Sequence, residues 1–446
     1  MIFDFSKEVK SLGAKWNEIG FVSEKKNEHT IHMWGPKGSG KTKLAQEFIN
    51  SHANAFYISF DKLSEKDALE SFRQMYIPHV DEVKGWKEAV DEFVRSRGNK
   101  AMLVIFEDEK NDAMRKCSTE FESWAFSKNH INLCEITHSK WWYNSVITMP
   151  VPNRTIPDFC KAFPDYSRQD AARLQALTGG NLHVAKELDE NLSFEENVKL
   201  LLKPDSAFSQ FLPTWLRECF RTPESYYPIL KSIADGHHRL SEIAKDIEFP
   251  NNKCGNYLDA LVEHDFVIAD KSSGARTATY KLAGSYIAAW CRYVYSKQIM
   301  QVQAPDSLFE YAMQDMDETV AIPALHEACL RHLEYSTEYY MENYITPDAS
   351  SIKKAVQVKL KDGTKVLLDY CVLNGGQSLY CIFPHSLDQH FTKADVDAVK
   401  QAIEKIDDIY NTDIVFFSLE RYSDWCVHQS AINEWLHFVT VAGLKY

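Results

Sequence analysis

A glycine-rich turn that ends in lysine and threonine carries the residue types needed to hold phosphate. The P-loop pattern G-x-x-x-x-G-K-S/T is matched by Gly35, Pro36, Lys37, Gly38, Ser39, Gly40, Lys41 and Thr42. Glycine lets the backbone fold tightly, so that N–H groups converge on a phosphate. We expect Lys41 to act on the β/γ-phosphates and the Thr42 hydroxyl to take a place on Mg²⁺. The stretch therefore predicts an ATP·Mg²⁺ site.

The segments on either side of this turn have the pattern that such a site requires. Thr30–Trp34 is predicted to be a short buried strand, and Leu44–Ile49 to lie in the helix that follows. The N-terminus of that helix adds partial positive charge to the site. Asn54–Phe60 is predicted to be the next strand, so the three segments form a βαβ unit. We predict an α/β fold with a parallel P-loop NTPase sheet at its core.

A continuous apolar run from Ala101 ends in three consecutive acids. Such a run is typical of a strand covered on both faces, and ligands bind at the carboxyl ends of these strands. A P-loop NTPase needs one carboxylate there for Mg²⁺, and often a second to activate the attacking water. The preferred assignment gives Asp108 to the metal and Glu109 to the water. The alternative, shifted by one residue, uses Glu107 and Asp108.

The next apolar segment, Ile131–Ser139, is predicted to be another core strand, and Ser145–Met149 the last one. In P-loop ATPases, a polar residue at the end of the former strand often senses the γ-phosphate. The candidates, which the pattern does not separate from ordinary turn residues, are Thr137, His138, Ser139 and Lys140.

Composition excludes several classes of protein. The chain has 446 residues, enough for two or three domains, and a net charge of −13, which is unlike a protein that coats nucleic acid. Its ten cysteines include no C-x-x-C pair, which argues against a zinc site or a disulfide framework. We find no signal peptide and no apolar run of membrane-spanning length. A soluble cytoplasmic protein without membrane contacts is expected.

The segment from Glu224 to Ala283 has the pattern of a winged helix, in which helices are followed by a β-hairpin. The third predicted helix, Asn252–His264, carries Asp259 and Glu263, which disfavour contact with DNA phosphates. A DNA partner is better served by the wing, with Lys271, Arg276 and Lys281. The alternative is a regulatory module that packs on the ATPase.

An ordered set of motifs resembles the archaeal-type ATPases, a branch of the STAND signal-transduction ATPases. The set consists of the P-loop, the acidic strand end, Pro164–Ser167, Gly179–Asn181, Glu196–Asn197, Leu216–Glu218 and Tyr227–Gly236. The resemblance implies a P-loop core at 1–155, a helical lid at 156–222, a winged helix at 223–284 and a C-terminal domain at 285–446.

The chain departs from the family in two places. Leu182 stands where the family's Gly-Gly-x-Pro motif has proline, and Pro36-Lys37 stands where the family has an arginine pair. The two departures together imply slow turnover.

In this family the C-terminal domain is similar to PD-(D/E)xK nucleases. The predicted strands are Ala355–Leu360, Thr364–Leu373, Ser378–Phe383 and the closing strand Ile414–Leu419, with a helix at Thr392–Ile406. Glu327 and Asp369 match two acids of the nuclease motif. The Glu-x-Lys position falls near Cys381-Ile382-Phe383, which offers neither acid nor lysine. We therefore expect a domain that is inactive as a nuclease and serves binding or self-assembly.

Together these features predict an ATP-binding STAND-type switch with slow hydrolysis. It couples the nucleotide state to a protein partner or to self-assembly. One alternative is an ATP-dependent DNA-processing enzyme, which the missing Glu-x-Lys disfavours. The other is a DNA-binding regulator that uses ATP only structurally.

Overall fold

The structure is a computed structural model. It describes residues 3–21, 30–60, 63–98, 100–107, 112–127, 131–137, 147–270, 278–335, 350–374, 377–406 and 412–444. The described chain divides into two compact units. The first contains Phe3–Asn153 together with Asn181–His183, and the second contains Arg154–Gly180 and the chain from Val184 onward.

The first unit alternates strands with helices. Its elements are α1 (Ser6–Phe21), β1 (Thr30–Trp34), α2 (Lys41–Ser51), β2 (Ala55–Ser59), α3 (Glu65–Tyr76), α4 (Trp86–Arg97), β3 (Met102–Glu107), α5 (Asp112–Ser127), β4 (Ile131–Thr137) and β5 (Ile147–Pro150). Strands β3 and β4 are almost entirely buried, as expected when both faces of a sheet are covered.

The described strands of this unit form one sheet in the order β2-β3-β4-β1-β5, with every pairing parallel. This confirms the predicted α/β fold with a parallel sheet. An aromatic-rich core, which includes Phe72, Phe93 and Phe121, packs with the helices α3, α4 and α5. A second core includes Leu12, Phe48 and Ile105. The parallel arrangement brings the carboxyl ends of β1, β3 and β4 to one edge.

The second unit begins with helices and ends with a mixed sheet. Its elements are α6 (Ile156–Ala162), α7 (Arg168–Thr178), α8 (Phe194–Leu201), α9 (Ala207–Cys219), α10 (Tyr227–Ala234), α11 (Leu240–Asp246), α12 (Asn251–Glu263), β6 (Val267–Asp270), β7 (Thr279–Leu282), α13 (Ser285–Tyr293), α14 (Gln298–Gln303), α15 (Pro305–Met316), α16 (Ile322–Tyr335), β8 (Ser350–Lys359), β9 (Lys365–Asn374), β10 (Gln377–Ile382), α17 (Lys393–Ile403), β11 (Thr412–Ser418), α18 (Asp424–Ile432) and β12 (Leu436–Thr440). A π-helical segment, Asp317–Ala321, joins α15 to α16.

Helices α10, α11 and α12 are followed by the antiparallel hairpin of β6 and β7. Strand order in the C-terminal sheet of the described chain is β12-β11-β10-β9-β8. The pairs β8/β9 and β9/β10 are antiparallel, whereas β10/β11 and β11/β12 are parallel. The winged-helix and nuclease-like assignments, and the four domain boundaries, stay predictions.

The end of the chain differs from the sequence-based prediction. Ile414–Leu419 was expected to be the closing strand, but α18 and β12 follow it, and β12 pairs with β11. The alternation within β12 is weak, because its residues after Leu436 are only partly buried. Among the described helices, none is long and apolar enough to cross a membrane.

Candidate functional site

Two glycines of the loop between β1 and α2 are closely packed, Gly35 against backbone and Gly38 against the Asn181 side chain. A Cβ on Gly35 would lie 2.1 Å from the Val151 carbonyl oxygen. Gly38 has φ +83°, and a Cβ there would lie 2.2 Å from the Asn181 Oδ1 atom. Side chains other than hydrogen are therefore excluded at both positions, and the loop can fold tightly around a small ligand.

Lys41, the first residue of α2, is buried inside this loop, with 4% of its surface exposed. Its Nζ donates hydrogen bonds to the carbonyl oxygens of Gly35, at 2.7 Å, and Pro36, at 2.8 Å. Burial lowers the pKa of Lys41 to about 8, against a smaller opposing effect of Glu107. The ammonium is thus desolvated and held by neutral carbonyl groups, a state that an anion would improve.

Glu107, the last residue of β3, lies beside Thr42 at the start of α2. The Thr42 hydroxyl donates a hydrogen bond of 2.5 Å to Glu107 Oε1. The Tyr57 hydroxyl, on β2, donates to Glu107 Oε2. Burial, followed by this hydrogen bond, raises the pKa of Tyr57. Both carboxylate oxygens of Glu107 therefore have defined partners.

A short segment of the first unit, Asn181–His183, is bonded to the P-loop; we call it the strap. Asn181 Nδ2 donates to the Lys37 carbonyl oxygen at 2.8 Å, and the Leu182 N–H donates to that of Gly38 at 2.9 Å. In a planar trans peptide the next N–H points away from the preceding carbonyl. By holding these carbonyls, the strap directs the N–H groups of the following residues to the opposite side.

One buried polar group in the loop has no described hydrogen-bond partner. Ser39 is fully buried, and among the described residues its hydroxyl has no hydrogen-bond partner. A buried hydroxyl without a partner costs about 1–3 kcal/mol. A phosphate oxygen would provide the missing acceptor. The loop therefore fits an anionic ligand on the evidence of its own side chains.

The residues predicted for metal and water lie partly outside the described chain. Asp108 and Glu109 are outside it, so their assignment to metal and to water stays a prediction. Glu107 is described, and its contact with Thr42 favours the alternative register. Sequence reasoning missed Tyr57, because its role depends on the pairing of β2 with β3.

The other predicted positions are described only in part. Thr137, at the end of β4, is buried, and its Oγ1 lies 2.6 Å from His32 Nε2. His138, Ser139 and Lys140 lie outside the described residues, as do Lys271 and Arg276 of the wing. Lys281 is exposed on β7.

In the C-terminal sheet, Asp369 is almost buried, and its oxygens have partners. Oδ2 accepts the Phe383 N–H at 2.8 Å, and His385 Nε2 lies 3.1 Å from Oδ1. Asp369 also raises the pKa of His385 through this hydrogen bond. Cys381 pairs with Tyr370, next to Asp369. Glu327 forms an ion pair with Arg331.

The oxygen atoms of Thr42 and Glu107 are the hard ligands that Mg²⁺ prefers, and a nucleotide phosphate would supply more. The pair therefore fits a metal that is bound together with a nucleotide. No cluster of three or more His, Cys, Asp or Glu side chains able to hold a metal occurs in the described part of the chain.

Comparison with known proteins gives distant likenesses. No protein-family model matches the sequence. The uncharacterized protein MJECL04 of Methanocaldococcus jannaschii is 21% identical over 319 residues, covering 66% of this chain and 69% of that protein.

Solved structures also give distant likenesses. Aeropyrum pernix Orc1 in complex with DNA has a TM-score of 0.32 at 13% identity, covering 67% of this chain and 94% of that one. Cdc6p from Pyrobaculum aerophilum has a TM-score of 0.33 at 12% identity, covering 69% and 94%. A STAND protein with a tetratricopeptide repeat sensor, from Pyrococcus horikoshii, has a TM-score of 0.27 at 14% identity, covering 72% and 50%. Likenesses at these scores establish neither a family nor a function.

The buried ammonium of Lys41 predicts a pH dependence of stability. Folding lowers the pKa from 10.5 to about 8, so the unfolded chain binds more protons between these values. The resulting destabilisation is complete below the folded pKa and disappears as the pH rises towards the unfolded one. Lys41→Met lacks this effect. Its free energy of unfolding relative to the wild type should therefore fall by about 2 kcal/mol between about pH 7 and about pH 9.5.

Urea unfolding at both pH values measures this difference. Lys43→Met, two residues along α2, makes the same change of net charge and serves as the control. Equal pH dependence of the two variants would contradict a desolvated Lys41.

Proposed function

We propose that the protein binds ATP with Mg²⁺ at the P-loop and uses the nucleotide state to control binding of a protein partner or a further copy of itself. The observation that carries this proposal is the buried Lys41 ammonium, which is held only by carbonyl oxygens of its own loop in the described contacts. Exchange of these neutral acceptors for phosphate oxygens gives stronger, charge-assisted hydrogen bonds.

The rest of the loop supports a phosphate ligand. The buried Ser39 hydroxyl can donate to a phosphate oxygen, and the N-terminus of α2 adds its partial positive charge. Together with Lys41, these groups stabilise an anion without a surrounding cluster of arginines. A triphosphate agrees with this arrangement, since Lys41 then acts on the β/γ-phosphates.

We assign Thr42 and Glu107 to the metal. Their oxygens are already in contact, and a hydroxyl that donates to a carboxylate still has lone pairs for a cation. Thr42 and Glu107 would hold Mg²⁺, which would supply positive charge to the phosphates. Glu107 contributes the negative charge on the protein side, and Thr42 a neutral oxygen ligand.

The strap supports the switch part of the proposal. It holds the carbonyl groups of Lys37 and Gly38, while the chain on both sides of it belongs to the second unit. A ligand that changes the orientation of these peptides changes the bonds to the strap. Because the strap is covalently continuous with Gly180 and Val184, the change then reaches these two residues. In nucleotide switches, segments near the phosphates likewise change their order with the nucleotide state.

The hydrogen bond between the strap and Gly38 agrees with slow hydrolysis. The bond from Leu182 to Gly38 needs a backbone N–H, which proline lacks. A chain with proline at this position, as in the family that the sequence resembles, cannot make it. Leu182 therefore fastens the strap to the P-loop more firmly, and we propose that this favours a long-lived nucleotide state over rapid turnover.

The DNA alternative receives less support. Asp259 and Glu263 are exposed on α12, and they repel phosphate. Lys281 is an exposed cation on the hairpin, and Lys271 and Arg276 lie outside the described residues. A protein partner or self-assembly remains the better proposal.

The first test of ATP binding removes the charge of Lys41. Lys41→Ala is expected to weaken ATP affinity at least 100-fold, because charge-assisted hydrogen bonds to phosphate are lost. Isothermal titration calorimetry measures the affinity, with Lys43→Ala as the matched control. Near-normal affinity of Lys41→Ala would refute the P-loop assignment.

The switch is tested with the same two proteins. Size-exclusion chromatography with mass measurement is run with ADP, ATP and a non-hydrolysable analogue, each with and without duplex DNA. We expect the nucleotide state to change the mass of the control but not that of Lys41→Ala. A mass that increases only with DNA would favour the DNA alternative.

A second prediction concerns the register of the acids. If Glu107 holds the metal, Glu107→Gln should abolish the gain in ATP affinity caused by Mg²⁺, since the anionic ligand is lost. Asp108→Asn should then keep ATP binding and slow hydrolysis. Calorimetry and phosphate release measure the two effects. Loss of the Mg²⁺ effect in Asp108→Asn, with slow hydrolysis in Glu109→Gln, would restore the assignment of Asp108 to metal and Glu109 to water.

A third prediction is the absence of metal-dependent nuclease activity. Asp369 is already engaged by the Phe383 amide and by His385, and the adjoining strand offers Cys381 and Ile382 instead of an acid and a lysine. Such side chains can neither hold Mg²⁺ nor activate water. Incubation of the full chain with plasmid and linear DNA, ATP and Mg²⁺ or Mn²⁺ should leave the DNA intact. Cleavage that disappears in Asp369→Ala would make DNA processing the leading function.

A further inference from the structure

The Tyr57 hydroxyl has an unusual place in the candidate site. Tyr57 lies on β2, where Ser59 pairs with Glu107 in the parallel register with β3. Tyr57 is two residues before Ser59, so the two side chains point to the same face of the sheet. This diagonal relation brings the hydroxyl onto Glu107 Oε2.

We propose that Tyr57 is a positioning residue for the carboxylate of Glu107 and that it determines how strongly Mg²⁺ increases nucleotide affinity. The inference rests on the proposed function, in which Glu107 and Thr42 face the metal. It adds a residue outside the P-loop and outside the acidic strand end to the same site.

Two bonds fix the orientation of the carboxylate. Thr42 donates to Oε1 and Tyr57 donates to Oε2, so rotation of the Glu107 side chain would break both. Thr42 can keep this bond while a lone pair of its oxygen faces a metal. The bond from Tyr57 is made to Oε2, so it holds the carboxylate without competing for Oε1.

Tyr57 is itself held in place. Its backbone lies in the parallel ladder of β2 and β3, and its ring packs in the core that includes Ile105. The Tyr76 hydroxyl donates to the Tyr57 carbonyl oxygen at 2.5 Å. The donor to Glu107 is thus on a rigid element, as a partner that orients a metal ligand must be.

Tyr57→Phe removes the hydroxyl and keeps the ring. Loss of an outer partner of a metal ligand typically lowers metal affinity about 10–100-fold. We therefore expect the increase in affinity for a non-hydrolysable ATP analogue caused by Mg²⁺ to fall about tenfold in this variant. The affinity measured in EDTA should stay within about twofold of the wild type, because the described partners of the Tyr57 hydroxyl are the side chains of Glu107, Ser59 and Thr42, and the Lys41 ammonium is not among them.

Isothermal titration calorimetry of the full chain, in EDTA and in Mg²⁺, gives both affinities. The matched control is Tyr422→Phe, which removes a tyrosine hydroxyl that bonds to the carbonyl oxygens of Phe416 and Val439 rather than to Glu107. Its Mg²⁺ effect should equal that of the wild type, whatever its effect on thermal stability. Glu107→Gln gives the limit at which the Mg²⁺ effect is abolished.

The outcomes separate this inference from the proposed function. If the wild type binds the analogue in EDTA and more tightly in Mg²⁺, but Tyr57→Phe keeps the full Mg²⁺ effect, only the inference is overturned. If Tyr57→Phe also loses affinity in EDTA, the residue is structural and the inference fails. A wild type that binds no nucleotide under either condition overturns both.

Discussion

The desolvated ammonium of Lys41 is the constraint on which the candidate site depends. Burial of a charged lysine with 4% of its surface exposed costs free energy unless the ammonium has partners. In the described structure these are hydrogen bonds to two carbonyl oxygens and the more distant charge of Glu107. Those carbonyls can converge on Nζ only because the loop turns tightly, with Gly35 packed against the Val151 carbonyl. The parallel sheet then brings the end of β3 beside the start of α2. Loop, helix and sheet thus meet at the buried ammonium of Lys41, whose described hydrogen-bond partners are the carbonyl oxygens of Gly35 and Pro36.

The strap fixes the backbone of the P-loop from one side. The Leu182 N–H is bonded to the Gly38 carbonyl. Asn181 adds a side-chain bond to the neighbouring Lys37 carbonyl. The carbonyl oxygens of Lys37 and Gly38 are therefore engaged by protein, and the Ser39 N–H donates to the Pro36 carbonyl oxygen at 3.2 Å. Leu182 makes a contact that proline, which has no N–H, could not make.

The parallel sheet was predictable because its strands are continuous apolar runs separated by helices, and the P-loop was predictable because its glycines have strict positions. The register of the acids was not. Glu107, Asp108 and Glu109 are chemically alike, and the sequence does not say where β3 ends. Glu107 accepts a hydrogen bond from Thr42, whereas Asp108 and Glu109 lie outside the described residues. Tyr57 could not be found in the sequence, because its neighbour depends on the register of two strands separated by two helices. The missed strand β12 lacks clear alternation, since it lies at the edge of its sheet.

Each of the two larger sheets carries a carboxylate of interest, Glu107 in the first and Asp369 in the second, and the two differ in their hydrogen-bond partners. At Glu107 the hydrogen-bond partners are the neutral hydroxyl groups of Thr42 and Tyr57, and the carboxylate also acts electrostatically on the Lys41 ammonium. At Asp369 the partners are a backbone N–H and His385, whose pKa the carboxylate raises. When His385 is protonated it cancels the charge that a metal would need. The chemistry of the partners, rather than the presence of the acid, therefore distinguishes the proposed metal site from the site where no metal chemistry is expected.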